Sequence, residues 1–142
     1  MAHAPKEAVA LCAAAWVVCG ESVLVMPCVE GVGRLWALPH RRLSQGARLF
    51  ESAVSAVLAT LGGEREELVA HFSGQRVFDA PKRVDGVREV VQVFGFEFAK
   101  EALPTLQGEG RWLARGALQR GDFYADYYDV IEHCWRKGFN KW

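Results

Sequence analysis

Basic side chains gather in one short stretch of the chain and offer chemistry for binding anions. The set is Arg34, His40, Arg41, Arg42 and Arg48. A guanidinium group is a permanently charged, planar fork of donors that matches the oxygens of a phosphate. We therefore expect an anion site at this loop. The ordinary alternative is a basic loop that is solvated or paired with carboxylates of the same chain.

Two glutamates on one predicted strand, Glu89 and Glu97, offer a different chemistry. Carboxylate oxygens are the ligands that Mg²⁺ prefers, and a bound metal can activate a water molecule for hydrolysis. The alternative is that both glutamates lie at solvent-facing strand ends or pair with lysine or arginine. No cysteine or histidine spacing indicates a metal or redox site, so the four cysteines are predicted to pack in the core.

Helical periodicity is clearest over Leu49–Leu61. Its apolar residues recur at three- and four-residue steps, and a glycine pair follows, which favours the end of a helix. The opposite face carries only small side chains: Ser52, Ser55, Ala56, Ala59 and Thr60. Two explanations stay open. The face has drifted without a function, or a protein partner, a second copy or a ligand packs closely against it.

Strands are predicted on both sides of this helix. A hairpin and a short strand precede it, over residues 8–19, 22–29 and 34–38. Two longer strands, a short strand and a second helix follow, over residues 68–78, 87–99, 111–113 and 122–137. The strand at 87–99 is apolar on both faces and is predicted to be central. Residues 64–67 are predicted as a solvated charge run that begins a strand, and residues 79–86 as a loop.

The segment at residues 38–63 resembles the Nudix box, G-x5-E-x7-R-E-U-x-E-E-x-G-U, aligned without a gap. The framework matches are Leu38-Pro39 before the box, Gly46 in the loop, Val57 at the first aliphatic position and Gly62 at the closing glycine. The positions that carry the chemistry of the box hold other residues: Arg41 for the first glycine, Ala47 for the loop glutamate, Ser55-Ala56 for Arg-Glu and Ala59-Thr60 for Glu-Glu.

The resemblance implies an α/β (α+β) fold: one Nudix-type α/β/α sandwich with a mixed β-sheet, formed by residues 1–142 as a single domain. It also implies that metal catalysis of the box type is absent, because alanine, serine and threonine cannot replace carboxylates as Mg²⁺ ligands. We therefore expect no catalytic residue in the box, no metal and no cofactor.

Three functions fit this pattern. The first is a non-catalytic binding or assembly module for a phosphate-bearing ligand or RNA. The second is a divergent hydrolase of nucleoside diphosphate derivatives that uses carboxylates outside the box, Glu89 or Glu97. The third is a purely structural subunit of a larger complex. We expect a protein partner or a homo-oligomer in the first and third cases.

Composition excludes some classes of protein. The formal net charge is zero, with 17 basic and 17 acidic residues, which argues against an extended polyanion-binding stripe. Hydrophobic residues make up 51% of the chain, enough for a core, and no apolar run is long enough to span a membrane. The expectation is a soluble, intracellular protein that does not bind membranes.

Overall fold

The computed structural model describes residues 8–28, 35–84, 87–101 and 103–138. One β-sheet carries helices on both of its faces. Its strands are β1 (Ala8–Cys19), β2 (Ser22–Cys28), β3 (Leu35–Ala37), β4 (His40–Arg42), β5 (Phe72–Val84), β6 (Val87–Phe98) and β7 (Arg111–Ala114). The helices are α1 (Leu49–Leu61), α2 (Arg65–Val69) and α3 (Tyr127–Lys137), with two 3₁₀ turns at Arg115–Ala117 and Arg120–Asp122.

The sheet is mixed, as predicted. Its strand order is β3-β2-β1-β6-β5, while β4 pairs with β1 and β7 pairs with β2. The β1–β6 pair is parallel from Ala8 opposite Val87 to Cys19 opposite Phe98, and the other pairs are antiparallel. The prediction of a central strand is confirmed, because β6 lies between β1 and β5.

The two faces of β6 serve two separate hydrophobic clusters, because side chains alternate along a strand. Val91 and Val93 pack in the cluster that contains the buried residues of α3. Phe94 and Phe96 pack in the cluster that contains the buried residues of α1. The sheet is therefore the middle layer of an α/β/α arrangement, with α1 and α3 on opposite sides.

Several predicted elements hold and others need correction. The helix at Leu49–Leu61 is confirmed at both ends. The last helix begins at Tyr127 rather than at 122, because a 3₁₀ turn occupies Arg120–Asp122. The acidic run after Gly63 was expected to begin a strand but forms α2, with Leu68 as its buried anchor. Residues 79–84 were expected to form a loop but continue β5, since that strand pairs with β6 up to Val84.

The four cysteines are all buried, so the prediction of core packing is confirmed. Burial raises the pKa of the Cys134 thiol to about 12. That thiol therefore stays protonated and acts as a small apolar group. In the described part of the chain, no helix combines the length and the apolar character needed to cross a membrane.

Candidate functional site

A short strand fixes the basic loop against the centre of the sheet. β4 pairs with β1, with Arg42 opposite Cys12. A backbone hydrogen bond from Leu43 N to Leu11 O, 2.7 Å long, continues the pairing beyond the strand. Because side chains alternate along a strand, Arg41 and Arg42 leave β4 on opposite faces. The pairing of β4 with β1 thus fixes the backbone positions of Arg41 and Arg42.

The basic loop and the first turns of α1 line an open depression of about 570 Å³. Its lining residues are Arg41, Arg42, Ser44, Ala47, Arg48, Glu51, Ser52 and Ser55. We call this site the arginine depression. Its volume falls in the range of small-ligand sites, roughly 300–1,000 Å³. The structure thus brings Arg41, Arg42 and Arg48 together, as the sequence predicts.

The N-terminus of α1 lies at the arginine depression. Arg48 is the residue before the first helical turn and makes no side-chain capping hydrogen bond. The first backbone N–H groups of a helix lack intrahelical acceptors, and the helix dipole makes this end favourable for anions. A cation at this end is unfavourable for the helix itself. The position of Arg48 therefore suits an external anion better than it suits helix stability.

The one acidic residue that lines the depression is already paired. Arg65 donates hydrogen bonds to both carboxylate oxygens of Glu51, one of them from Nε over 2.8 Å. The hydrogen bond from Arg65 lowers the pKa of the Glu51 carboxyl, and Arg48 adds a smaller electrostatic effect in the same direction. Glu51 is thus charged at neutral pH, and Arg65 balances that charge.

The three arginines differ in whether a carboxylate of the chain pairs with them. Arg42 Nη2 lies 3.2 Å from Glu89 Oε2. Within the residues that the structure describes, the guanidinium groups of Arg41 and Arg48 make neither a hydrogen bond nor an ion pair. Both of these side chains are exposed. The depression therefore has a net positive charge that no described carboxylate balances.

The other two predicted anion-binding residues do not add to this site. The imidazole of His40 packs against Tyr127, with ring centroids 5.2 Å apart, and its Nδ1 lies 2.8 Å from Leu38 O. His40 therefore packs toward α3 and does not line the arginine depression. Arg34 lies outside the described residues.

The small-residue face of α1 is only partly open. Ser55 and Ala59 are exposed and Ser52 is half-buried, while Ala56 and Thr60 are each only 3% exposed. The expectation that all five side chains form an accessible face is therefore wrong for Ala56 and Thr60. The buried face of α1 is wider than its large apolar residues indicate, because small neutral side chains such as Ala56 and Thr60 also pack in the protein interior.

The loop before β7 covers the end of this helix face. Gln107 N donates a 2.6 Å hydrogen bond to Thr60 O. A Cβ atom on Gly110 would lie only 2.1 Å from Thr60 Cγ2, so the two residues are in tight contact. A glutamate at position 60 would have to displace this loop before its carboxylate could reach a metal.

Glu89 and Glu97 lie in different places on β6. Glu89 is only 5% exposed and contacts Arg42, whereas Glu97 is exposed at the other end of the strand. Eight residues of strand separate them by roughly 26 Å, so they cannot share one metal ion. These positions agree with the alternative expected for the two glutamates, since Glu89 pairs with an arginine and Glu97 faces solvent. In the described part of the chain, no three His, Cys, Asp or Glu side chains are grouped to hold a metal.

A second cavity, of about 230 Å³, lies on the β3-β2-β7 part of the sheet. Pro27, Trp36, Glu109 and Arg111 line it. Strand register brings them together, because Pro27 pairs with Trp36 and Val25 pairs with Arg111. No motif or spacing in the sequence indicates a site at these residues. The one sequence feature that could have indicated this cavity is the alternation of Arg111 and Trp112 on β7. Arg111 faces outward, and Trp112 packs inward against the hydrophobic cluster that contains α1.

The similarity of this chain to known proteins is a similarity of structure. No family model matches the chain, and no curated protein matches it. The bifunctional NMN adenylyltransferase/ADP ribose pyrophosphatase of Francisella tularensis, complexed with AMP and a manganese ion, superposes with a TM-score of 0.82 at 20% identity. That match covers 94% of this chain and 43% of the other, so the chain spans less than half of that protein.

Two further solved structures resemble the chain over most of both lengths. The Nudix domain of Shewanella oneidensis NrtR, complexed with ADP ribose, has a TM-score of 0.72 at 11% identity and covers 94% of this chain and 89% of that one. The Ap4A hydrolase of Caenorhabditis elegans has a TM-score of 0.61 at 13% identity, over 87% and 92%. The fold is the Nudix fold. Within it, residues 38–63 run from the end of β3 through β4 and α1.

The contact between Gly110 and Thr60 can be used to test whether the loop before β7 packs tightly against α1. Gly110→Ala should lower the free energy of unfolding by about 1–3 kcal/mol, because the new methyl group overlaps Thr60 Cγ2. Thr60→Ser removes that atom and should restore much of the loss in the double variant. Gly116→Ala is the matched control, since nothing lies within 4 Å of its added Cβ. Urea denaturation measures all four variants; equal stability of Gly110→Ala and Gly116→Ala would refute the tight contact.

Proposed function

We propose that this Nudix-fold chain is a non-catalytic binding module for a phosphate-bearing small ligand, held at the arginine depression. The observation that carries the proposal is the unmatched charge of Arg41 and Arg48 beside the N-terminus of α1. Both features attract anions, and they act on the same volume. Three of the described neighbours are named for nucleotide chemistry or complexed with a nucleotide, which supports the class of ligand.

The proposal includes the absence of metal-dependent catalysis at this site. Ala47 and Ser55 line the depression at positions that resemble the loop glutamate and the arginine of the Nudix box. Ala56 and Thr60 are buried at two helix positions that resemble box glutamates. The cationic depression thus replaces carboxylates and metal with guanidinium groups that bind phosphate oxygens directly. Binding of this kind neutralises phosphate but supplies no metal-bound water for attack.

A small ligand fits better than RNA. The three arginines of the site line one depression of about 570 Å³, and the whole chain has a net charge of zero. RNA-binding surfaces that track a backbone use an extended basic groove with aromatic stacking platforms. No aromatic residue lines the arginine depression among the described residues. RNA binding therefore becomes an outcome of the binding test.

Divergent hydrolysis remains a second candidate because Glu89 is buried close to the depression. Its contact with Arg42 gives it another role, which is to hold that guanidinium at the edge of the site. A carboxylate that already binds an arginine has fewer oxygen lone pairs left for a metal ion. Glu97 lies too far along β6 to assist it. A purely structural role in a larger complex needs neither the charge of the depression nor a ligand.

Calorimetric titration separates these functions. The ligand panel is inorganic pyrophosphate, AMP, ADP ribose and a single-stranded RNA, each tested with Mg²⁺ and with EDTA, with chromatography of the products. We expect binding of the small phosphates in EDTA and no turnover in Mg²⁺. Turnover that requires Mg²⁺ would establish the hydrolase, tighter binding of RNA would assign RNA as the ligand, and no binding at all would leave the structural role.

Charge removal locates the site. Arg41→Ala and Arg48→Ala should each weaken pyrophosphate binding by about 1–3 kcal/mol, the scale of a charge-assisted hydrogen bond. The affinity of the wild-type protein should also fall as salt rises, because the guanidinium groups are exposed. Arg136→Ala is the matched control, an exposed arginine on the last turn of α3. Equal affinities for all three variants would rule out the arginine depression as the site.

Glu89→Gln distinguishes the binding module from the hydrolase by the sign of its effect. The substitution removes the charge that balances Arg42 and keeps a side chain of similar shape. Pyrophosphate binding should tighten by about threefold to tenfold, equivalent to roughly 0.7–1.4 kcal/mol. A hydrolase that uses Glu89 would instead lose turnover. Isothermal titration and a product assay on the same preparation give both readouts.

A further inference from the structure

A second concave site lies at the opposite end of α1 from the arginine depression. It is a groove of about 260 Å³ whose walls are apolar and whose rim is acidic. The residues that matter here are Leu58, Leu61, Leu68 and Phe98 in the walls and Glu64 and Glu67 at the rim. The ring of His71 stacks on Phe98 with centroids 4.1 Å apart and closes one side. We call this site the acidic groove.

No described cation balances the acidic groove. α1 has no basic residue in its last turn, so the negative end of its dipole is uncompensated. Neither Glu64 nor Glu67 has an ion-pair partner among the described residues, and the nearby Arg65 is held by Glu51. Two carboxylates and a helix C-terminus therefore act together on a volume that also offers apolar contact.

An arginine side chain matches this combination of groups. Its three-carbon stem packs on apolar walls while its guanidinium reaches charged groups at the rim. The chain itself presents exposed arginines of this kind, Arg41 and Arg48, which have no described partner. Because α1 has 13 residues, the two sites are about 20 Å apart along the helix and cannot meet within one molecule.

We propose that a second copy of this chain docks Arg41 and Arg48 into the acidic groove, so that copies associate head to tail. The charges of the two surfaces are complementary, and the net charge of zero removes long-range repulsion between copies. The contact is heterologous, and it places the positive end of one α1 near the negative end of the next. A phosphate ligand at the arginine depression competes with the neighbouring copy for the same guanidinium groups.

Complementary charge reversal tests the docking by sedimentation velocity at low salt. Wild-type protein should gain mass with concentration and return to monomer at high salt. Glu64→Lys/Glu67→Lys and Arg41→Glu/Arg48→Glu should each weaken self-association by at least about tenfold, because like charges then meet. An equimolar mixture of these two variants should associate again, because the intact arginines of one fit the intact groove of the other and the two reversed surfaces also carry opposite charges.

The controls keep the proposal separate from phosphate binding and from folding. Glu66→Lys changes an exposed charge on α2 that does not line the groove and should leave association unchanged. If circular dichroism shows that the lysine variant is misfolded, Glu64→Gln/Glu67→Gln takes its place. It removes the two charges without reversing them and should also weaken association. Glu64→Lys/Glu67→Lys keeps the arginines, so pyrophosphate binding should persist. Wild-type protein that stays monomeric, or a mixture of the two reversed variants that does not associate, overturns the docking and leaves the phosphate proposal standing.

Discussion

The parallel pairing of β1 with β6 is the constraint on which the rest of this structure depends. The pair runs along the full length of β1, from Ala8 to Cys19, in the middle of the sheet. Because both faces of β6 are covered, the pair needs one helix layer against Val91 and Val93 and another against Phe94 and Phe96. The free side of β1 accepts β4, and β4 leads directly into α1. Pairing of β4 with β1 places Arg41 and Arg42, and the start of α1 places Arg48.

Charges just outside both ends of α1 are unfavourable for the helix, although Glu51 in its first turn is favourable. A cation precedes its positive end at Arg48, and carboxylates follow its negative end at Glu64 and Glu67. Each placement is unfavourable for an isolated helix by a few tenths of a kcal/mol to about 1 kcal/mol. Local rules of this kind are broken in real proteins mainly at functional sites. The burial of Ala53, Val54 and Val57 against the sheet offsets the loss and holds the helix in place.

Much of this fold could be predicted from periodicity, and the exceptions have physical causes. The bounds of α1 follow from its apolar stripe and the glycine pair, and the mixed sheet was expected from the resemblance to the Nudix box. The acidic run after α1 was mistaken for the start of a strand, because one buried residue, Leu68, anchors a helix too short for a periodic pattern. The parallel partner of β1 lies about eighty residues along the chain, and no local pattern reports a contact at that separation.

The candidate site was predictable in composition and less so in geometry. Side-chain chemistry identified Arg41, Arg42 and Arg48, which the structure brings together. Strand alternation places His40 on the face opposite Arg41, where it packs on Tyr127, a residue of a distant helix. The burial of Thr60 depends on contact with Gly110, which lies in a loop that local sequence does not place. Tertiary packing decides these details.

The central claim is that phosphate binds to arginines here without a metal. An amide nuclear magnetic resonance titration of the labelled protein with inorganic pyrophosphate tests it most directly, run once in EDTA and once in Mg²⁺. The account predicts saturable shifts at Arg41, Arg42, Arg48 and the first turn of α1, equal in the two conditions, with pyrophosphate left intact. Shifts that require Mg²⁺, that fall away from this segment, or that accompany hydrolysis would contradict it.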